Sequence, residues 1–170
     1  MSSHRWYDRY ILQAKHKAKI IILGSYDAIK RLSGVKNYLR ANDYKNAKLV
    51  ADVDYRPRYS DESEEEYNFR KSLHAMGYAD ILLFVFYDNV KNQGVDIEIS
   101  CAAQQLREKI PYSSVFIEKS YQQKTSTMLR GLIRNYKIDC KFFEDDEELK
   151  QLALGACVQH LYKLDYIWSP

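Results

Sequence analysis

Residues 79–87, ADILLFVFY, contain a single charged side chain, Asp80, in nine positions. A run this apolar and this short, rich in β-branched and aromatic residues, is the pattern of a strand covered on both faces. Two-sided burial is characteristic of parallel sheets, and parallel neighbours need long crossovers between them, so helices are expected on either side of the run. The rest of the chain supplies them. Residues 19–23 (KIIIL) read as a first strand stopped by Gly24 and Ser25, and residues 47–53 (AKLVADV) as a second. Residues 113–118 (SSVFIE) and 140–144 read as a fourth and a fifth. Between them, Ala28, Leu32, Val35, Tyr38 and Leu39 recur at helical spacing over 27–42, and Ile97, Cys101, Ala102 and Leu106 do so over 95–109. Ser60 and Asp61 are placed to cap a helix running to about Met76, residues 126–136 suit another, and residues 147–163 form a last amphipathic one. Five strands alternating with helices predict an α/β, flavodoxin-like three-layer sandwich, with a parallel sheet in the order 2-1-3-4-5.

At 170 residues the chain has the usual size of one domain, and no linker or internal repeat divides it, so residues 1–170 are expected to fold as a single unit. Residues 5–16 read as an N-terminal amphipathic helix or arm within 1–18, with Trp6, Tyr10 and Leu12 or Gln13 spaced to dock, and residues 164–170 as an aromatic C-terminal tail. The 15 tyrosines and two tryptophans suit either a homo-oligomer interface or cover for the domain's own core. No apolar run approaches the roughly 20 residues that span a bilayer, and the N-terminus lacks the apolar stretch of a secretory signal, so a cytoplasmic protein without a membrane role is expected.

Cys101, Cys140 and Cys157 are far apart and lack ligand spacing, and the four histidines form no paired motif, so neither a metal nor a cofactor is expected. Residues 1–60 hold 13 Lys and Arg against 5 Asp and Glu, leaving 13 against 18 in the remainder. That polarity attracts phosphate-bearing ligands or nucleic acid, and a solvated basic face explains it equally well. Nucleic acid ranks below a small ligand because no recognised nucleic-acid signature accompanies the charge.

Ligands of such sheets bind beyond the carboxyl ends of the strands, at the switch point between the first and third. The loops after the first three strands converge there, bringing Gly24, Ser25, Tyr26 and Asp27, then Arg56 and Arg58, then Asp88, Asn92, Gly94 and Glu98. Gly24 reads either as a turn glycine or as a position where a sugar or base comes close. It opens no dinucleotide fingerprint, and no Walker loop is present. Glu98 reads in two ways. It is either a solvent-facing acid of the helix's first turns, or a carboxylate kept ionised by the helix's positive end, which suits a nucleophile or an electrostatic stabiliser.

The sequence LLFVFYD, then NQGV, then Glu98-Ile99-Ser100-Cys101-Ala102 resembles the nucleoside 2-deoxyribosyltransferase family, with its nucleotide N-hydrolase and more distant TIR-like relatives. That family's pattern is an apolar strand, a loop ending Asp-Ser-Gly-Thr and a helix opening Glu-Ile-Gly-x-Ala. The resemblance covers roughly residues 19–120 and implies N-glycosidic bond cleavage or transfer on a nucleoside, nucleotide or NAD-like substrate. Glu98 would be the nucleophile, Asp88 would hold a ribose hydroxyl, and Tyr26 would lie against the base or orient Glu98. Arg56 or Arg58 would take a 5′-phosphate, with Gly24, Ser25, Asp27, Asn92 and Gly94 completing the substrate-binding set. Asn92 stands where the family has Asp, Val95 where it has Thr or Ser, and Ser100 where it has Gly. These departures remove polar groups from the implied sugar pocket. A hydrolase, a non-catalytic nucleotide-binding or signalling module of the same fold, and an interaction protein therefore stand beside a transferase.

Overall fold

The computed structural model describes the backbone of residues 3–168 and the side chains of residues 6–164. Five parallel strands, β1 (Ile20–Gly24), β2 (Ala47–Leu49), β3 (Ile81–Phe86), β4 (Ser113–Glu118) and β5 (Asp139–Phe143), form one sheet in the order β2-β1-β3-β4-β5. Among the described residues six α-helices pack around it: α1 (Ser3–Lys17), α2 (Ile29–Ala41), α3 (Glu64–Tyr78), α4 (Gln93–Gln105), α5 (Thr127–Asn135) and α6 (Asp146–Trp168). The expected architecture and strand order are both present.

The central strand explains the layering. Every residue of β3 is at most 1% exposed, and alternate side chains serve different cores because successive Cβ atoms of a strand point to opposite faces. Ile81, Leu83 and Val85 pack with Leu32, Val35 and Leu39 of α2 and with Leu149 and Ala153 of α6. Leu82, Phe84 and Phe86 pack with Ala75 and Met76 of α3, Val95, Ile99 and Ala102 of α4, and Leu129 of α5. Each fully buried Leu, Ile or Phe stabilises the fold by about 1.5–3 kcal/mol, so the two faces of this strand anchor the domain.

Several boundaries differ from the sequence reading. β2 ends at Leu49 instead of running to Val53, because the Asp52 carboxylate accepts the Leu49 N–H at 2.9 Å and pairs with Lys36, turning the chain into a 3-10 turn. Helix α3 is capped by Ser63, not by Ser60 or Asp61. The Ser63 hydroxyl accepts the Glu66 N–H while the Glu66 carboxylate accepts the Ser63 N–H, a reciprocal capping box. On α4 the buried stripe is Val95, Ile99, Ala102 and Ala103, and Ile97 is 53% exposed. The spacing had placed Ile97 inward, but the helix begins two residues early, at Gln93, and its contact face is set by the sheet below it.

On α1 the residue that reaches the core is Ala14, while Trp6 is exposed and stacks on Tyr10 at 5.7 Å. The backbone of α6 continues to Trp168. The Trp168 side chain and Ser169 and Pro170 of the expected tail lie outside the described residues. Among the described residues, no helix is long and apolar enough to cross a membrane.

Gly24 closes β1 without a positive φ, so no backbone freedom is being used there. Space is the constraint. A Cβ at this position would stand 2.9 Å from Leu32 Cδ2 and 3.1 Å from the Val85 carbonyl oxygen. The carbonyl belongs to the central strand and cannot yield, so Gly24→Ala should destabilise the domain by about 1–3 kcal/mol, the usual cost of overpacking. Urea unfolding of the two proteins measures this, and an unchanged midpoint would show that helix α2 shifts freely.

Candidate active site

The carboxyl ends of β1 and β2, the starts of α2 and α4 and one face of α3 line an open cleft of about 530 Å³. It lies at the switch point of the strand order, where β1 is flanked by β2 on one side and β3 on the other. The loop after β1 brings Gly24, Ser25, Tyr26 and Asp27, α3 brings Asn68, Lys71 and Ser72, and the loop into α4 brings Lys91, Gln93, Gly94 and Glu98.

The loop from β3 into α4 is held by backbone and side-chain hydrogen bonds. Asp88 N–H donates to Glu118 Oε2 at 2.7 Å, and Glu118 is itself paired with Arg31, which also grips Asp146 and lies 4.0 Å from the Tyr87 ring centroid. Asn89 takes a left-handed backbone, φ 59°, which asparagine tolerates better than most residues. Asn92 is buried and donates its amide to the Tyr87 carbonyl at 2.8 Å, closing the loop just ahead of the helix.

Glu98 lies three residues after Val95 and four before Ala102, both buried, so it shares their inward face of α4 while remaining open to the cleft. The Ser72 hydroxyl, on the adjacent helix α3, donates to Glu98 Oε1. Burial pushes the carboxyl up to about pH 7, and the Ser72 hydrogen bond only partly offsets that rise. The sequence reading had the helix dipole keeping this group ionised. Because Glu98 sits in the second turn of α4, past the region where the dipole acts, desolvation prevails instead.

The cleft gathers six of the residues singled out from the sequence: Gly24, Ser25, Tyr26, Asp27, Gly94 and Glu98. Tyr26 stands at the mouth, 80% exposed, and the hydrogen bond that orients Glu98 comes from Ser72. Arg56, Arg58, Asp88 and Asn92 do not line it. The Arg56 guanidinium is occupied in a two-pronged pair with Glu62, at 2.8 and 2.7 Å, and lies 3.9 Å from the Tyr59 ring centroid. Arg58 is exposed on the same loop. Asp88 turns to Lys124 at 2.7 Å, and that ion pair holds its carboxyl below the usual range. Asn92 serves the loop, with its amide carbonyl oxygen buried and unpartnered.

Polar lining residues outside the set singled out from the sequence are Asn68, Lys71 and Ser72 of α3 and Lys91 and Gln93 at the start of α4. Ser72 carried one faint signal, a hydroxyl on the otherwise apolar face that it shares with Ala75 and Met76. Lys71 donates to the Ala51 carbonyl at 3.3 Å, and Lys91 enters no ion pair among the described residues.

A second polar grouping lies at the opposite edge of the sheet. The Ser114 hydroxyl donates to Asp139 at 2.7 Å and lies 2.8 Å from Nε2 of the fully buried His160. With its only proton on Asp139, Ser114 must accept from His160. The aspartate therefore orients the serine rather than the imidazole, and this is not the relay that activates a serine nucleophile. Among the described residues no group of three or more metal-ligating side chains is present.

The raised carboxyl links the site to stability. Between the ordinary value of 4.5 and about 7, the folded protein holds a proton on Glu98 that the unfolded chain has lost. Stability therefore falls as pH rises through that window, by about 3 kcal/mol once ionisation is complete. Glu98→Gln, which can still accept from Ser72, should raise the melting temperature at pH 8 and change it little at pH 4.5. Calorimetry at the two pH values tests this, and an equal shift at both would rule out a strained carboxylate.

No family model matches the chain, and no curated protein matches it. Solved structures do. The CMP N-glycosidase of Clostridium botulinum superposes with a TM-score of 0.51 at 14% identity, over 79% of this chain and 97% of that one. A 2-deoxyribosyltransferase from the psychrotolerant bacterium Bacillus psychrosaccharolyticus gives 0.53 at 18% identity, over 78% of this chain and 90% of that one. With its five parallel strands, its order and these matches, the chain has the fold of the nucleoside 2-deoxyribosyltransferase-like proteins.

Proposed function

We propose that this protein cleaves the N-glycosidic bond of a nucleoside or nucleotide, with Glu98 as the nucleophile. The observation that carries the reading is the half-buried Glu98 carboxyl at the carboxyl rim of the sheet, lining a cleft of nucleotide size and held at one oxygen by a neighbouring hydroxyl. Support also comes from two enzymes of the same fold whose names specify N-glycosidase action on CMP and 2-deoxyribosyl transfer.

The chemistry follows from that arrangement. Ser72 holds Oε1 and leaves Oε2 free to approach C1′ of the sugar. The base departs through an oxocarbenium-like transition state, and the glycosyl-enzyme is resolved by water or by a second base. Ser25 and the Gly24 backbone border the sugar, and Tyr26 at the mouth covers the base. Lys71 and Lys91 take the place that the sequence reading gave to Arg56 and Arg58, since they line the cleft and a 5′-phosphate attracts ammonium groups.

Only the ionised carboxylate attacks, so kcat/KM should rise with pH through about 7 and then level off. Chromatography of mixtures of purified protein with nucleosides and 5′-mononucleotides detects the freed base. Glu98→Ala should abolish release while the circular dichroism spectrum is retained; release that survives the substitution removes Glu98 from the mechanism. A ligand that raises the melting temperature but is never turned over would instead identify a binding module. Replacing Lys71 and Lys91 together by Gln should raise KM for a mononucleotide roughly ten- to hundredfold, with less effect on kcat, the scale of a lost charge-assisted hydrogen bond. An unchanged KM would place the phosphate elsewhere.

A further inference from the structure

His160 is fully buried on α6, and the chemistry of the cleft makes no use of it. Its ring meets the amino ends of β4 and β5, where the Ser114 hydroxyl lies 2.8 Å from Nε2. Ser114 gives its only proton to Asp139 Oδ2 at 2.7 Å, and the same carboxylate oxygen accepts Lys141 Nζ at 2.8 Å. Nε2 must therefore carry the proton of the neutral ring, which leaves a bare lone pair on Nδ1. That nitrogen is buried and has no hydrogen-bond partner among the described residues. A ring held as this tautomer takes its second proton at Nδ1. The new N–H would be charged, enclosed and without an acceptor, and a buried donor left unpaired is costly even before its charge is counted.

The surrounding charges do not offset that cost. Asp139 on β5 favours a cationic ring but is shared with Lys141, while Lys141 and, on α6 itself, Lys163 oppose one. The Cys157 thiol, one turn earlier on α6, is buried and held neutral. β3 brings Ile81, Leu83 and Val85 to this face, all apolar. The 3-10 turn of 107–112 carries Arg107, Glu108 and Lys109, with the Lys109 ammonium bound to the Ala79 carbonyl. Towards α1, Lys17, Lys19 and Asp80 border the groove that Leu161 and Leu164 line, and at the far end of α6 Asp146 is held by Arg31 of α2. Burial, reinforced by the two lysines, pushes the imidazole down to about 4.

We infer that His160 is an acid-sensitive latch, whose protonation releases the C-terminal half of α6 from β4 and β5. Among the described residues past Ala156, α6 buries only Cys157, His160 and Leu161, so the ring sits at the centre of the contact. Between about 4 and the ordinary value of 6.5, the detached or unfolded chain binds a proton that the docked ring refuses. The latch is therefore complete above that window. It weakens as pH falls through it, by up to about tenfold in the opening equilibrium per pH unit. Glu98 acts in the opposite sense over much of the same range, so the latch is read as a difference between two proteins.

Urea unfolding of the native chain and of His160→Gln, whose amide nitrogen can stand in for Nε2–H, tests this from about pH 7.5 to about pH 5. The ratio of the native to the variant unfolding constant should be nearly level above pH 7 and rise roughly tenfold between pH 6.5 and pH 5. Hydrogen exchange, corrected for intrinsic rate, should show residues 157–164 of the native chain losing protection at pH 5 ahead of β3, and keeping it in the variant. Parallel unfolding profiles overturn the inference, and so does α6 opening at pH 5 no sooner than β3. Should His160→Gln fail to fold, nitrogen-15 spectra of the native imidazole decide. A neutral ring protonated at Nε2 that persists below about pH 5.5 supports the latch, and an imidazolium formed in the folded protein near pH 6.5 removes it.

Discussion

The structure depends on the burial of β3 from both sides. Its six residues feed alternately into two separate cores, and neither face can meet water without exposing Phe84 and Phe86 or Leu83 and Val85. That demand forces helices onto both faces of the sheet and makes the chain pass from one face to the other. The passage places β1 beside β3, where the loops after the two strands separate and leave a hollow. The cleft is thus a consequence of how the strands are ordered, and what it can do depends on the side chains around it.

Within the cleft, Glu98 is held against its own solvation preference. Ionising a carboxyl that water reaches poorly is unfavourable, and the Ser72 hydroxyl recovers only part of the loss. A group kept at such expense on a well-packed helix contrasts with the neighbouring carboxylates of the rim, which are stabilised by lysine, arginine or backbone N–H partners. Those pairs fix the loops. The Glu118–Arg31–Asp146 network joins β4, α2 and α6, and through the Asp88 N–H it reaches the loop that delivers α4. The rim thus holds two kinds of carboxyl, those fixed by ion pairs and Glu98, which has only the Ser72 hydroxyl as a partner and lines the cleft.

The strands were legible because buried strands announce themselves by composition, and Glu98 stood out as a candidate because the resemblance and the strand order both point to the loop after β3. Expectation failed where a local partner decided the outcome. Arg56 looked free to hold a phosphate until Glu62, six residues on, was seen to occupy both prongs of its guanidinium. Asp88 looked aimed at a sugar but is turned aside by Lys124, distant in sequence. Ser63 displaced Ser60 and Asp61 as the helix cap because Glu66 lies at the spacing that completes a reciprocal pair. Ser72 and Lys71 sit on α3, whose approach to α4 no pattern within either segment could reveal.

Hydrophobic patterning alone determined that this chain is a parallel α/β sheet with its open rim beside the first and third strands, because solvent exclusion acts on each segment where it stands. Which side chains meet in the hollow, and with what charge, was settled only by folding. Hydrogen bonds and ion pairs reach over a few ångströms between residues tens of positions apart, such as Ser72 and Glu98, and burial acts on a carboxyl only once its neighbours have closed around it.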